Sequence, residues 1–202
     1  QLAVLSGPNL AAEILAKKPA ATVVASDDDN ASAFFQKILN RPYFRVYRSS
    51  DRRGVEFGGI IKNTFAIAAG CMDALNLGSN ATASFLCRAL VEMQRIARAF
   101  DLDTHTVYGL SGLGDLVATC MSPLSRNRSV GYNLAQTEAD TNTPISGYAE
   151  GPFTTQLLAQ LAIDKQLNTP ILLLISRLLN SEISVQDGIS ELMSRTLKQE
   201  FD

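Results

Sequence analysis

At about Asp51 the patterning of this chain changes, and that change constrains the fold more than any other feature. Before it, short β-branched runs alternate with helical ones. LAVLS (2–6) reads as a buried strand, SGPN as a turn, and Asn9 as the cap of a helix over LAAEILAKK (10–18). ATVVAS (21–26) is a second strand, DDDNASAFFQKILN (27–40) an acid-capped amphipathic helix, and YFRVYRS (43–49) a third strand. This β-α-β-α-β order predicts part of an α/β sheet. After Asp51 no convincing strand appears, and helical periodicity runs over 53–76, 79–100, 125–136, 152–166, 169–180 and 185–199. The expected architecture is mainly α, with residues 1–50 as the last part of an α/β domain and 51–202 as an all-α domain. TEADTNTPISG (137–147) is the most loop-like stretch. The chain begins without methionine on a strand-like segment, and no G-x-G-x-x-G fingerprint lies within it. Both features predict a piece of a longer protein, with the first half of a dinucleotide fold upstream of Gln1.

Composition removes several function classes. A net charge of -2 without a basic run offers nothing to nucleic acid or to an anionic membrane surface. Lys62 and Asn63 interrupt the apolar run around Phe65, and PILLLI (170–175) is too short to span a bilayer, so stable membrane insertion is not expected. Neither is a secretory signal, which leaves the cytoplasm as the default compartment. Cys71, Cys87 and Cys120 are odd in number and form no C-x-x-C, as suits buried thiols in a reducing compartment. The sole histidine, His105, has no ligand partner at useful spacing, so no metal site is expected.

Four motifs carry chemistry. In GVEFGGIIKNTFAIAAG (54–70), helical geometry puts Gly58, Lys62, Ala66 and Ala69 on one face and Gly59 above Asn63. Each glycine costs about 1 kcal/mol of helix stability against alanine. Two together imply a close approach, by another backbone or by a ligand. Lys62 either snorkels to water beside a packing face or is a partly buried amine able to exchange a proton with a substrate hydroxyl. In GLSGLGDLVATC (109–120), a glycine-rich loop precedes a short helix, which Asp115 either caps or leaves in order to bind a hydroxyl or hold Lys62. In SPLSRNRSVGYNL (122–134), Ser125 caps a helix whose first turn holds Arg126, Asn127 and Arg128. The helix dipole disfavours cations there. A phosphate held by backbone N–H groups and a guanidinium explains them, as does a solvated basic turn or an ion pair with acidic surface residues. In YAEGPFTT (148–155), Glu150 and Gly151 precede another helix.

Taken in order and spacing, SGPNLAAE, GVEFGGIIKN, GLSGLGDL, SRNR and AEG resemble the NAD(P)-dependent glycerol-3-phosphate dehydrogenases of the bacterial type, over essentially the whole chain. The resemblance implies the tail of a Rossmann-type domain followed by a helical substrate domain of the 6-phosphogluconate dehydrogenase C-terminal kind. It implies an oxidoreductase interconverting glycerol 3-phosphate and dihydroxyacetone phosphate with NAD or NADP, feeding glycerophospholipid synthesis, as a homodimer. By resemblance Lys62 is the proton acceptor, and the helix glycines leave room for substrate beside it. Gly7, Asn9, Asn63, Asp115, Ser125, Arg126 and Asn127 contact substrate. Ala11, Arg126, Tyr148 and Glu150 contact cofactor, most of which is held upstream, so the isolated chain is expected to be inactive. Asn9 stands where many members carry threonine or serine, Tyr148 where an aliphatic residue is usual, and TEADTNTPIS where the segment is normally more helical. Two alternatives stand beside this one. The first is a β-hydroxyacid or 6-phosphogluconate type dehydrogenase, whose lysine is followed four residues later by asparagine; position 66 here is alanine. The second is a non-catalytic helical dimerisation module.

Overall fold

A computed structural model describes residues 2–137 and 149–200. Three strands, β1 (Val4–Ser6), β2 (Ala20–Ala25) and β3 (Phe44–Ser49), form one sheet in that order. Helices α1 (Ala11–Leu15) and α2 (Asp29–Leu39) lie between them in the chain. β2 and β3 pair in parallel with Ala20 opposite Phe44, and α2 makes the crossover. β1 runs antiparallel to β2 with Val4 opposite Ala25, so the sheet is mixed. The physical reason is the short α1, which is five residues and about 7.5 Å long at 1.5 Å per residue. The chain turns back beside β1 without crossing the sheet. Asn9 does not cap α1: Leu10 holds the cap position without a side-chain bond, and the Asn9 amide goes elsewhere.

Alternation along β2 covers both faces of the sheet. Val24 packs with Phe44 and Val46 against Ile14 and Leu39. Val23 and Ala25 pack on the other side with Val55 and Leu110, which belong to the helical part. That second layer attaches the sheet to α3 (Arg52–Ala74). The carboxylate of Asp51 accepts the Gly54 N–H at 2.9 Å and caps α3. Helices α4 (Gly78–Ala99), α5 (Thr104–Val107), α6 (Asp115–Met121), α7 (Arg126–Thr137), α8 (Gly151–Asp164), α9 (Pro170–Leu179) and α10 (Val185–Met193) follow.

α3 is apolar or small on nearly every face because it is the central helix. α4, α6, α7, α8 and α9 all pack on it. Its Ile61, Phe65 and Ile67 are completely buried with Met93, Leu116, Leu172 and Ile175. The α3–α7 crossing brings backbone against backbone: a Cβ on Gly131 would lie 1.7 Å from the Ile67 carbonyl oxygen, and one on Gly70 1.9 Å from that of Arg128.

Three expectations need correction. The glycine-rich stretch before α6 is not a loop but a π-helical turn over Leu110–Gly114 that runs directly into the helix. α10 ends at Met193 and not at 199. Beyond it Leu197 is 96% exposed, so no buried apolar face supports a further turn. Cys71 and Cys120 are buried as expected, whereas Cys87 is exposed; all three are free thiols. The predicted loop at 137–147 falls, from residue 138 on, outside the described residues. Among the described residues no helix is long and apolar enough to cross a membrane, and no cluster of histidine, cysteine and carboxylate suits a metal ion.

One buried carboxylate joins two distant helices. Glu92 on α4 is 2% exposed and accepts the N–H groups of Ile171 (2.7 Å) and Leu172 (2.9 Å), so it caps α9 from outside that helix. Burial pushes its carboxyl up to about 7, against the pull of those two N–H groups and of Arg95 and Arg88. A folded-state value above the ordinary 4.5 means that the folded protein binds the extra proton between these limits. The associated stability is present below pH 4.5 and is lost as pH rises through about 7. The interval corresponds to on the order of 3 kcal/mol. Urea unfolding from pH 4.5 to 7.5 should show this decline in the native chain and not in Glu92→Gln.

Candidate active site

Lys62 and Asp115 are 53 positions apart and form an ion pair. α3 presents Lys62 toward the first residue of α6, and the pair is largely withdrawn from water, with side-chain exposures of 19% and 6%. Asp115 uses its other oxygen to accept the Thr119 hydroxyl at 3.2 Å, and the Gly7 backbone N–H also donates to it. Burial raises the Asp115 carboxyl above the usual aspartate range, while Lys62, Thr119 and Gly7 oppose that rise. The reading of Lys62 as a snorkelling surface lysine is therefore overturned, as is the reading of Asp115 as a helix cap. α6 grows out of the π-helical turn, and no side chain caps it.

The pair borders a cavity of about 410 Å³, also lined by Ser6, Gly7, Asn9, Gly59 and Thr119. Gly7 has φ of +141°, a conformation that side chains rarely adopt, and a Cβ there would meet Thr22 at 3.2 Å. The two helix glycines separate in role. A Cβ on Gly58 would sit 2.5 Å from the Ser111 carbonyl oxygen, so this residue admits the backbone of the π-helical turn and gives no room to a ligand. Gly59 faces Ser6 and lines the cavity.

A second cluster forms where the starts of α7 and α8 meet the turn of α3 that follows Lys62. The Ser125 hydroxyl accepts the Arg128 N–H at 3.2 Å, as an N-cap does. Asn127 accepts the Gly151 N–H at 2.8 Å. Asn63 is buried and donates to Glu150 at 3.5 Å. A Cβ on Gly151 would meet both the Asn127 side chain and the Asn63 carbonyl. The two arginines of the α7 first turn part company. Arg128 pairs with Asp73 of α3, so an ion pair accounts for it. Arg126 is exposed and has no ion pair or hydrogen bond among the described residues.

The structure thus joins Lys62, Asp115, Gly7 and Asn9 around one cavity and gathers Asn63, Asn127 and Glu150 on the adjoining turn. Ala11 is exposed at the start of α1 and does not line the cavity. Tyr148 lies outside the described residues. Thr119 and Ser6 were missed by the sequence reading. Thr119 had a signal, since it stands four residues after Asp115 and so on the same helical face.

The family model described as NAD-dependent glycerol-3-phosphate dehydrogenase C-terminus matches residues 51–190, and the corresponding N-terminus model matches residues 1–32. Proteins named glycerol-3-phosphate dehydrogenase (NAD(P)+) from Trichormus variabilis and Synechococcus elongatus are 50% and 49% identical to the chain over 98% and 99% of it. The chain spans 66% of the length of each. The crystal structure of glycerol-3-phosphate dehydrogenase from Coxiella burnetii superposes with a TM-score of 0.84 at 37% identity, over 96% of this chain and 60% of that one. A Dunaliella salina structure shares the fold, with a TM-score of 0.85 at 24% identity over 98% of this chain and 36% of that one. A cavity walled by Lys62 and Asp115 and a fold shared along nearly the whole chain lead to one conclusion: this chain belongs to the NAD-dependent glycerol-3-phosphate dehydrogenase family.

Proposed function

We propose that the protein interconverts glycerol 3-phosphate and dihydroxyacetone phosphate, with residues 51–202 supplying the acid–base group and most substrate contacts, and residues 1–50 the Gly7–Asn9 wall. The Lys62–Asp115 pair on the cavity carries this reading. A buried ion pair stabilises a fold little better than apolar residues of the same volume. A helical module without chemistry would have no use for one beside an open cavity. The asparagine pattern of 6-phosphogluconate type enzymes is missing as well, since position 66 is a completely buried alanine.

In the oxidation direction Lys62, as the neutral amine, takes the proton of the secondary hydroxyl and becomes the ammonium; in reduction that ammonium gives the proton to the carbonyl oxygen. Asp115 holds the Lys62 nitrogen in place through both directions, and is itself held by Thr119 and Gly7. Arg126 and the N-terminus of α7 bind the phosphate group, a task for which an unpaired guanidinium fork is suited. NAD or NADP, when bound, supplies or removes the hydride. The residues assigned to it fit a dinucleotide: Ala11 is small and exposed, Arg126 offers donors to a phosphate, and the exposed Glu150 carboxylate accepts from ribose hydroxyls. Tyr148 belongs to the same proposed set. A role in glycerophospholipid synthesis, a homodimeric state and a cytoplasmic location complete the reading.

The test is reduction of dihydroxyacetone phosphate by the full-length protein with NADH or NADPH; absence of turnover with both would sink the proposal. Arg126→Ala should raise KM for dihydroxyacetone phosphate by roughly 10- to 100-fold, as loss of a charge-assisted contact does. An unchanged KM would remove Arg126 from the phosphate site.

A further inference from the structure

Resting on the dihydroxyacetone phosphate reading above, we propose that Thr22 is a positioning residue that turns the Asn9 amide so that the site selects the hydroxyl end of its substrate. Thr22 lies on β2, is completely buried, and makes its side-chain hydrogen bonds to Asn9 and Ser6 and not to the Lys62–Asp115 pair. Its hydroxyl donates to the Ser6 carbonyl oxygen at 2.8 Å. A hydroxyl has one proton, so toward Asn9 it can only accept. The Asn9 amide must then present its NH2 side to Thr22, as the 2.9 Å bond from Nδ2 to Oγ1 shows. The orientation of an asparagine amide is commonly ambiguous; here the relay from Asn9 through Thr22 to Ser6 fixes it.

This orientation has a chemical consequence. The remaining atom, Oδ1, is buried and has no hydrogen-bond partner, although Asn9 lines the cavity. An amide oxygen only accepts, and a buried acceptor without a donor costs free energy. A phosphate dianion has no proton to offer it, whereas a primary hydroxyl has. Asn9 therefore reads the hydroxyl-bearing end of dihydroxyacetone phosphate and repels the phosphate end. The substrate is set in one direction across the cavity, with phosphate away from Asn9. The loop carrying Asn9 is held between two anchors, with the Gly7 N–H on Asp115 and the Gly7 backbone against Thr22.

Hydroxyacetone phosphate supplies the test, since it keeps the carbonyl and phosphate of dihydroxyacetone phosphate and lacks the hydroxyl. In the full-length enzyme, Thr22→Val should lower kcat/KM for dihydroxyacetone phosphate roughly tenfold and leave that for hydroxyacetone phosphate unchanged. Thr22→Ser should restore the preference. On an Asn9→Ala background Thr22→Val should add nothing to the loss of preference between the two substrates, because Thr22 sets that preference through Asn9. Thr22→Ala removes the same hydroxyl if the valine variant does not fold. Equal losses on both substrates, multiplying effects of the two substitutions, or failure of serine to rescue would each overturn the inference. A native enzyme that reduces both substrates equally well would overturn it too while leaving the proposed function standing. A native enzyme that reduces neither refutes both.

Discussion

Lys62→Ala should lower turnover of dihydroxyacetone phosphate by the full-length enzyme by roughly 10²- to 10⁴-fold, the usual contribution of a positioned acid–base group. KM should change far less, because Asn9 and Arg126 are untouched. The fold should survive in a form that depends on pH. Without Lys62 the buried Asp115 loses its cation, the strongest pull against the rise that burial causes. Its carboxyl then moves further up, and the folded protein holds a proton that the unfolded chain releases. Stability should therefore be full below the ordinary aspartate value and fall as pH rises through the raised one. Thermal melts of Lys62→Ala between pH 4 and 8 should show a steeper decline than the native protein. Native-level turnover in the variant would end the assignment of Lys62 as the proton-transfer group.

The second large effect is structural. Gly131→Ala should cost at least about 3 kcal/mol, the upper range for overpacking a tight core, or prevent folding altogether. The added methyl would stand 1.7 Å from a backbone oxygen of α3. Rotamer changes bring no relief, because the obstacle is main chain. α7 would have to move away from α3 by more than an ångström, taking Asn127 and Arg126 with it. Gly114→Ala provides the contrast: its methyl would meet only ordinary contacts at 3.6–3.7 Å. It should be neutral or stabilise by a few tenths to 1 kcal/mol. Urea midpoints for the two variants, measured together, separate crowding from a general effect of replacing glycine.

Much of the helical part was legible because its signals are local. Among the described residues, periodicity found six of the eight α-helices after Asp51, to within a residue or two at most ends, and missed the four-residue α5 and the short α6, the second of which the glycine-rich motif announced. Ser125 declared itself as a cap through residue type and position. The candidate site was legible as residue types in family order, which brought Lys62 and Asp115 forward together. What escaped depends on contacts between elements far apart in the chain. Nothing near Gly58 says that its neighbour is the Ser111 backbone, and nothing near Arg128 names Asp73. Asn9 has the residue type of a helix cap, but Leu10 takes the cap position and the Asn9 NH2 donates to a hydroxyl on β2. The direction of β1 was hidden too, since the shortness of α1 emerges only when the following residues leave the helix. Glu92 looked like one more charge on an amphipathic helix until the start of α9 came to rest on it.

The position of Lys62 on α3 has a consequence for how the cavity opens. Amides in the middle of a helix packed on all sides by α4, α6, α7, α8 and α9 exchange with solvent deuterium only through global unfolding. Local breathing is drawn from segments with fewer buried neighbours. The lysine wall of the cavity is thus its stationary side, and the Gly7–Asn9 turn, which leaves β1 and is held by the Gly7 N–H on Asp115 and the Asn9 amide on Thr22, is the side able to yield. Substrate entry and product exit then become properties of that turn. A deuterium-exchange map of the native enzyme should find early labelling there and the latest labelling around Lys62.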